Sequence, residues 1–170
     1  MPELVAPHVR FHASFLAAMR EEPGAAAYLF TGDEAMLADS AVFARYVAQL
    51  RADAAEQASR PAGYVPGTTL WWADGEEFLG RLAIRHRLNE RLRLVGGHIG
   101  YWIRPSARRQ GHATAAFREG LEYAHRLGID PALVTCDEDN IGSRRIIEGA
   151  GGIFDQQIGV KRLYWVRTGA

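Results

Sequence analysis

Between an alternating apolar run and a long amphipathic pattern the chain places RRQGHAT, residues 108–114, three long polar side chains followed by a glycine at the junction. The first backbone N–H groups of a helix have no partner inside it. If a strand ends just before this stretch and a helix starts at Gly111, those donors and the helix dipole face whatever lies beyond the strand end, which makes an anion site. Gly111 lets a ligand approach the main chain where a Cβ would stand, and Arg108 and Arg109 can add charge to a diphosphate. A turn carrying two solvated arginines has the same spacing, and these residues alone leave both readings open.

Other residues have the chemistry of proton transfer. His98 lies on the run leading into residues 108–114, and His86 on the run before it; imidazole titrates near neutrality. Strand alternation decides whether His98 faces the anion site or the opposite side, beside Gly100 and Trp102. Asp137, Glu138 and Asp139 end another apolar run, where they can act as a base, bind an ammonium, or cap the next helix. Cys136 sits within that apolar run and reads as a buried structural thiol. As the single cysteine it excludes an intramolecular disulfide and a multi-cysteine metal site. His86, His98 and His112 lack a spacing such as His-x-x-x-His on one helix, so no zinc site is expected.

These residues need elements to position them. Phe11, Phe15, Leu16 and Met19 recur at helical spacing, predicting a helix within residues 7–20 that ends near Pro23 and Gly24. Asp33 can cap a second helical region carrying Met36, Leu37, Val42, Phe43, Tyr46, Val47 and Leu50, as one bent helix or two. Strand composition then takes over in TTLWWAD, GEEFLGRLAIRHRL and RLRLVGGHIGYWIRP, separated by turns at Asp74–Gly75 and Asn89–Glu90 and stopped by Pro105. From Gly111, a helix with Ala113, Ala116, Phe117, Leu121, Ala124 and Leu127 on one face runs to Gly128. PALVTC suits a buried strand, Asn140 caps a short helix with Ser143 in its first turn, and GIFDQQI with KRLYWV completes a strand pair.

The 170 residues fit one domain, and 48% hydrophobic content is ordinary for a packed core. Net charge is zero, so no global field favours nucleic acid or an anionic membrane. Charge is local: residues 81–109 carry eight arginines against Glu90, whereas residues 21–59 carry seven acids against Arg45 and Arg51. No signal segment is apparent and no apolar run reaches the roughly 18 to 20 residues needed to span a bilayer, so a cytoplasmic protein is expected.

IRPSARRQGHATAAF resembles the Arg/Gln-x-x-Gly-x-Gly/Ala signature of the GCN5-related N-acetyltransferases (GNAT), with Arg108, Gly111 and Ala113 in the signature positions. NIGSRRIIEGAGG is similar to that family's Asn-x-x-Ser/Ala helix, which follows the next strand and ends in a Gly-rich turn. The order and separation of the two are right, and VPGTTLWW, IRHRLNE and TCDEDNIGS look like a bacterial branch. The resemblance implies an α/β (α+β) fold over residues 1–170: a mixed, mostly antiparallel sheet with helices on both faces, splayed where acetyl-coenzyme A lies. Ile103 would offer main-chain groups to the pantetheine arm. Arg109, Gln110, Gly111, His112, Ala113 and Thr114 would surround the pyrophosphate, and Arg108 would supply charge. Asn140 would contact the pantetheine end, and Ser143 or Arg144 the region of the thiol or the adenosine phosphate.

The implied reaction moves acetyl from acetyl-coenzyme A to a primary amine by direct attack, without a metal or a covalent enzyme intermediate. His98 or Asp137 would be the base, and Ser143 or water the acid. Many family members place a tyrosine acid seven residues after the asparagine, where this chain has Ile147. Tyr101 and Tyr164 are replacements to consider, and a non-catalytic acyl-coenzyme A binding or sensing domain is the alternative. The N-terminal helices and residues 64–69 would select the acceptor, which could be a small amine, an amino acid, an antibiotic or a protein N-terminus. Neither nucleic acid nor membrane is an expected partner, and a homodimer is a further expectation.

Overall fold

The computed structural model describes residues 1–25 and 33–169. Seven strands alternate with helices: β1 (Glu3–Val5), α1 (His12–Glu21), α2 (Ser40–Ala52), β2 (Gly67–Asp74), β3 (Glu77–Arg85), α3 (Glu90–Leu94), β4 (Ile99–Ile103), α4 (His112–Arg126), β5 (Ala132–Asp137), α5 (Ile141–Gly149), β6 (Ile153–Ile158) and β7 (Lys161–Val166). They form one open sheet in the order β1-β2-β3-β4-β5-β7-β6, antiparallel everywhere except between β4 and β5.

Side chains alternate across a strand, and the strands divide their apolar residues between two helical layers accordingly. Trp71 and Phe78 pack against Phe11 and Phe15 before and within α1 and Phe43 of α2. On the other face Leu82, Ile84, Ile99 and Val134 pack against Phe117 and Leu121 of α4 and Ile147 of α5. Burying each of these large side chains contributes roughly 1.5 to 3 kcal/mol, so both layers are strongly held to the sheet.

The second helical region is two pieces. The Asp33 carboxylate accepts from the Ala35 N–H and starts a 3-10 turn, Glu34–Ala38. Asp39 then accepts from the N–H groups of Ala41 and Val42 and starts α2.

Residues 91–97 depart from the sequence expectation of a strand. Asn89 Oδ1 accepts from the Leu92 N–H at 2.9 Å and caps α3, with Glu90 in its first turn. Leu92 turns inward while Arg91, Arg93 and Leu94 stay exposed. Arg-Leu-Arg-Leu satisfies a period of two, but over five residues the cap and one buried leucine decide in favour of a helical turn. Only Ile99–Ile103 remains as strand. The apolar start at Leu4 and Val5 adds β1 at the edge, paired with β2.

The sheet opens between its two parallel strands. Their register has one matched pair, Ile99 with Val134, supported by the His98 N–H donating to the Leu133 carbonyl at 2.8 Å. Beyond that pair β4 and β5 separate towards Ile103 and Asp137. On its other side β4 is drawn against β3, because Gly80 faces Ile103 and a Cβ there would collide with the Trp102 carbonyl oxygen.

Candidate active site

A cleft of about 760 Å³ lies at the open end of the β4–β5 gap. Ile103, Arg108, Arg109, Gly111, His112, Ala113 and Thr114 line one wall, and Asn140, Gly142, Ser143, Arg145 and Ile146 line the other. Both motifs singled out in the sequence therefore meet across one space.

The first wall is built from the backbone upward. Pro105 opens a 3-10 turn, Pro105–Ala107, and Arg109 and Gly111 then take left-handed conformations with φ of 65° and 84°. Gly111 occupies the N-cap position of α4, where no side chain caps the helix. Gly111 and the first-turn residues His112, Ala113 and Thr114 line the cleft, and a Cβ at Gly111 would meet nothing within 4 Å. A helix start without a side-chain cap leaves its first N–H groups free for a ligand, which suits an anion with several acceptor oxygens. Gln110 faces away and donates its side-chain amide to the Ser106 carbonyl at 3.1 Å. His112 Nδ1 accepts from the Trp72 indole N–H at 3.1 Å, which anchors the first residue of α4 to the sheet.

Arg108 has a different place from the one its charge suggested. Its Nε donates to the Ile103 carbonyl at 2.8 Å, and its Nη2 reaches the Glu22 carboxylate at 2.7 Å. Its charge is paired with an acid instead of facing the helix start.

The second wall begins at Asn140, whose Oδ1 accepts from the Ser143 N–H at 3.1 Å. Ser143 Oγ accepts in turn from the Tyr101 hydroxyl at 3.0 Å, across the gap between β4 and α5. Burial pushes the Tyr101 phenol up, against a smaller downward pull from its bond to Ser143. Ile147, one turn beyond Ser143, is fully buried in the core.

The end of α1 closes the cleft floor. Glu22 accepts from the Trp102 indole N–H at 2.7 Å and from Arg108, and these bonds hold its carboxyl below the usual range, Arg108 first and Trp102 next. Glu21 pairs with the buried Arg104 and accepts from the Ser106 N–H at 2.9 Å. Burial works against the Glu21 charge, but Arg104 and Ser106 outweigh it and its carboxyl is also held low. Sequence inspection alone missed Glu21, Glu22 and Trp102, because the partners lie about eighty positions apart in the chain.

Four residues expected at the site lie outside the cleft lining: His98, Gln110, Asp137 and Arg144. His98 sits at the closed end of the β4–β5 pair, buried, its Nδ1 accepting from the Leu133 N–H at 2.9 Å. Burial, with Arg93 and Arg85 adding repulsion, pushes it down to about 4. Asp137 is paired with Lys161 at 2.6 Å. Arg144 donates to the Glu138 carbonyl, while its neighbour Arg145 faces the cleft. His86 bonds Thr68 Oγ1 at 2.7 Å, and the Tyr164 hydroxyl donates to Glu148, so both have partners away from the cleft. Cys136 is buried, and burial pushes its thiol up. Residues 64–69 do not line the cleft; its α1 side is formed by residues 22–25 instead. Among the described residues no group of three or more His, Cys, Asp or Glu side chains could hold a metal, and no helix is long and apolar enough to cross a membrane.

A mixed sheet parted between two parallel strands, with an uncapped helix start at the opening, offers a cleft suited to a ligand that carries an anion. The acetyltransferase (GNAT) domain profile matches residues 11–153, and the chain belongs to the GNAT acetyltransferase family. No curated protein matches it by sequence. Among solved structures it is similar to RimJ of Mycobacterium smegmatis in complex with a coenzyme A disulfide, with 19% identity, 98% of this chain and 81% of that chain covered, and a TM-score of 0.67. The microcin C7 self-immunity acetyltransferase MccE, in complex with acetyl-coenzyme A and AMP, aligns at 11% identity over 98% of this chain and 92% of that chain, with a TM-score of 0.62. RimL, a ribosomal L7/L12 α-N-protein acetyltransferase in complex with coenzyme A, aligns at 15% identity over 98% and 93%, with a TM-score of 0.60.

Proposed function

We propose that this protein is an N-acetyltransferase that moves an acetyl group from acetyl-coenzyme A to a primary amine. The observation that carries the reading is the uncapped start of α4, opened by left-handed Arg109 and Gly111, facing Ser143 across the parted strands. Acetyl-coenzyme A brings the acetyl thioester. Family membership and the ligands bound in the structural relatives support that choice.

The residues present fit such a ligand in its separate parts. The first-turn amides of α4, at His112, Ala113 and Thr114, would hold the pyrophosphate, with Arg109 beside them. The wall formed by Trp102, Ile103, Asn140 and Gly142 would hold the pantetheine arm. From Thr114 a second groove, of about 450 Å³, continues between α4 and α5 and carries Arg118 and Arg145. These arginines, rather than Arg144, suit the adenosine phosphate.

On the acceptor side, Glu22 offers a carboxylate at the cleft floor. Held ionised by Arg108 and Trp102, it is a poor base and a good partner for an ammonium. We assign it to binding the amine in its protonated form, with water removing the proton. His98 and Asp137 are assigned structural roles, His98 tying β4 to β5 and Asp137 pairing with Lys161.

The second reading, a binding or sensing domain without turnover, is favoured by Ile147 at the position where many relatives carry a tyrosine acid. An assay of thiol release from acetyl-coenzyme A, run with small amines, amino acids and peptide N-termini, separates the two. Release that depends on an amine supports the transferase. Tight binding with no release for any amine leaves the sensor reading.

A further inference from the structure

Ile147 leaves a gap in the chemistry, and the cleft holds a group that fills it. Tyr101 lies on β4, on the face of the sheet that carries α4 and α5, with its ring 5.5 Å from Phe117. Its hydroxyl crosses the opened gap and donates to Ser143 Oγ at 3.0 Å. Ser143 and Ile147 are four residues apart on α5, so a side chain at 147 enters about one helical turn, roughly 6 Å along the axis, from Ser143. The phenol that many relatives bring from α5 is brought here from β4 to the same neighbourhood. Both Tyr101 and Ser143 line the cleft, so a leaving group in the gap meets the serine with the phenol behind it.

We propose that Tyr101 is the proton reservoir for the departing sulfur, acting through Ser143. This rests on the transferase reading above. Ser143 gives its hydroxyl proton to the sulfur as the carbon–sulfur bond breaks, and the Tyr101 O–H proton passes to Ser143 Oγ. Tyr101 is left as the phenolate and regains its proton from water at the cleft mouth. One thiol forms, one phenol is regenerated, and no oxidant or metal takes part. A phenol is protonated at neutral pH, and burial raises Tyr101 further, so the donor is loaded before each turnover. Ser143 is the group placed to touch the reacting atoms, and Tyr101 is a positioning residue that supplies the proton behind it.

The test compares wild type, Tyr101→Phe, Ser143→Ala and the double variant, with acetyl-coenzyme A and the best amine from the acceptor screen. Tyr101→Phe keeps the ring on Phe117 and removes only the hydroxyl. Its kcat is expected to fall roughly a hundredfold, in the range for general acid catalysis. Its affinity for acetyl-coenzyme A should stay within twofold of wild type. Ser143→Ala should match it, and the double variant should be no worse than either single one. In mixtures of light and heavy water the wild-type kcat should follow a curved dependence on deuterium fraction, from two protons in flight, which becomes linear in Tyr101→Phe. A merely structural tyrosine would not change that curve. Wild-type kcat in Tyr101→Phe, or independent losses that multiply in the double variant, overturns the inference and leaves the transferase reading intact. A folded wild type that binds acetyl-coenzyme A but turns over no amine overturns both.

Discussion

Arg144 and Arg145 are adjacent in sequence, yet helix α5 turns one towards the Glu138 carbonyl and the other into the cleft. A charge-assisted bond to a phosphate is worth about 1.5 to 3 kcal/mol, which is more than tenfold in affinity. Arg145→Ala is therefore expected to weaken acetyl-coenzyme A binding at least tenfold, and Arg144→Ala less than twofold, as read by titration calorimetry. His98 makes a separate prediction through pH. It titrates near 4 in the folded protein and near 6.5 when unfolded, so between those values the unfolded chain binds more protons. Its contribution is complete above about pH 6.5 and is lost as pH falls towards 4, to the extent of about 3 kcal/mol. Urea unfolding at several pH values should show that loss in wild type and a flatter profile in His98→Gln; equal slopes would contradict it. At this scale the sequence made Gly111, Asn140 and Ser143 legible, since their backbone roles follow from neighbours along the chain. The hydroxyl of Tyr101 and the carboxylate of Glu22 were not assignable, because each takes its place from a partner on a distant element.

Between elements, the cleft depends on how closely β4 is held by its neighbours. Gly80 permits the approach of β3 to Trp102 and Ile103, and any Cβ there collides with backbone. Gly80→Val is expected to destabilise the fold by about 2 to 3 kcal/mol and to weaken acetyl-coenzyme A binding with it, both visible in denaturant titration and calorimetry. On the other side, Glu21 joins the end of α1 to the buried Arg104 and to Ser106. Glu21→Ala leaves that guanidinium with the Phe78 carbonyl, Ser14 Oγ and a longer contact to Glu77, so a loss of about 2 to 4 kcal/mol is expected. An unchanged urea midpoint would show that the α1 end is not fastened there. The short α3 shows where periodicity fails: five residues are too few to separate a period of two from one of 3.6, and Asn89 with Leu92 decides the matter. Longer patterns, as in α2 and α4, were legible because several buried residues repeat the same face.

Over the whole molecule, zero net charge and two apolar layers on one sheet describe a domain whose polar chemistry is concentrated where that sheet opens. The antiparallel neighbours β2, β3 and β4 were legible from strand runs and turns, whereas the parallel β4–β5 pair and the order that puts β7 between β5 and β6 depend on long-range pairing. A ligand that binds only the folded state stabilises it, by about 2.7 kcal/mol at a hundred times Kd. For a chain of this size that is a rise in Tm of roughly 5 to 11 °C, and acetyl-coenzyme A should produce it. The helix start at Gly111 is proposed to hold the diphosphate, and calorimetric titration of acetyl-coenzyme A into wild type and Gly111→Trp checks this. The indole would enter the open space above a left-handed residue, at the mouth of the cleft. Binding by wild type and its loss in a variant that keeps the wild-type circular dichroism spectrum is expected; equal binding by both, or none by folded wild type, would place the diphosphate elsewhere or remove it.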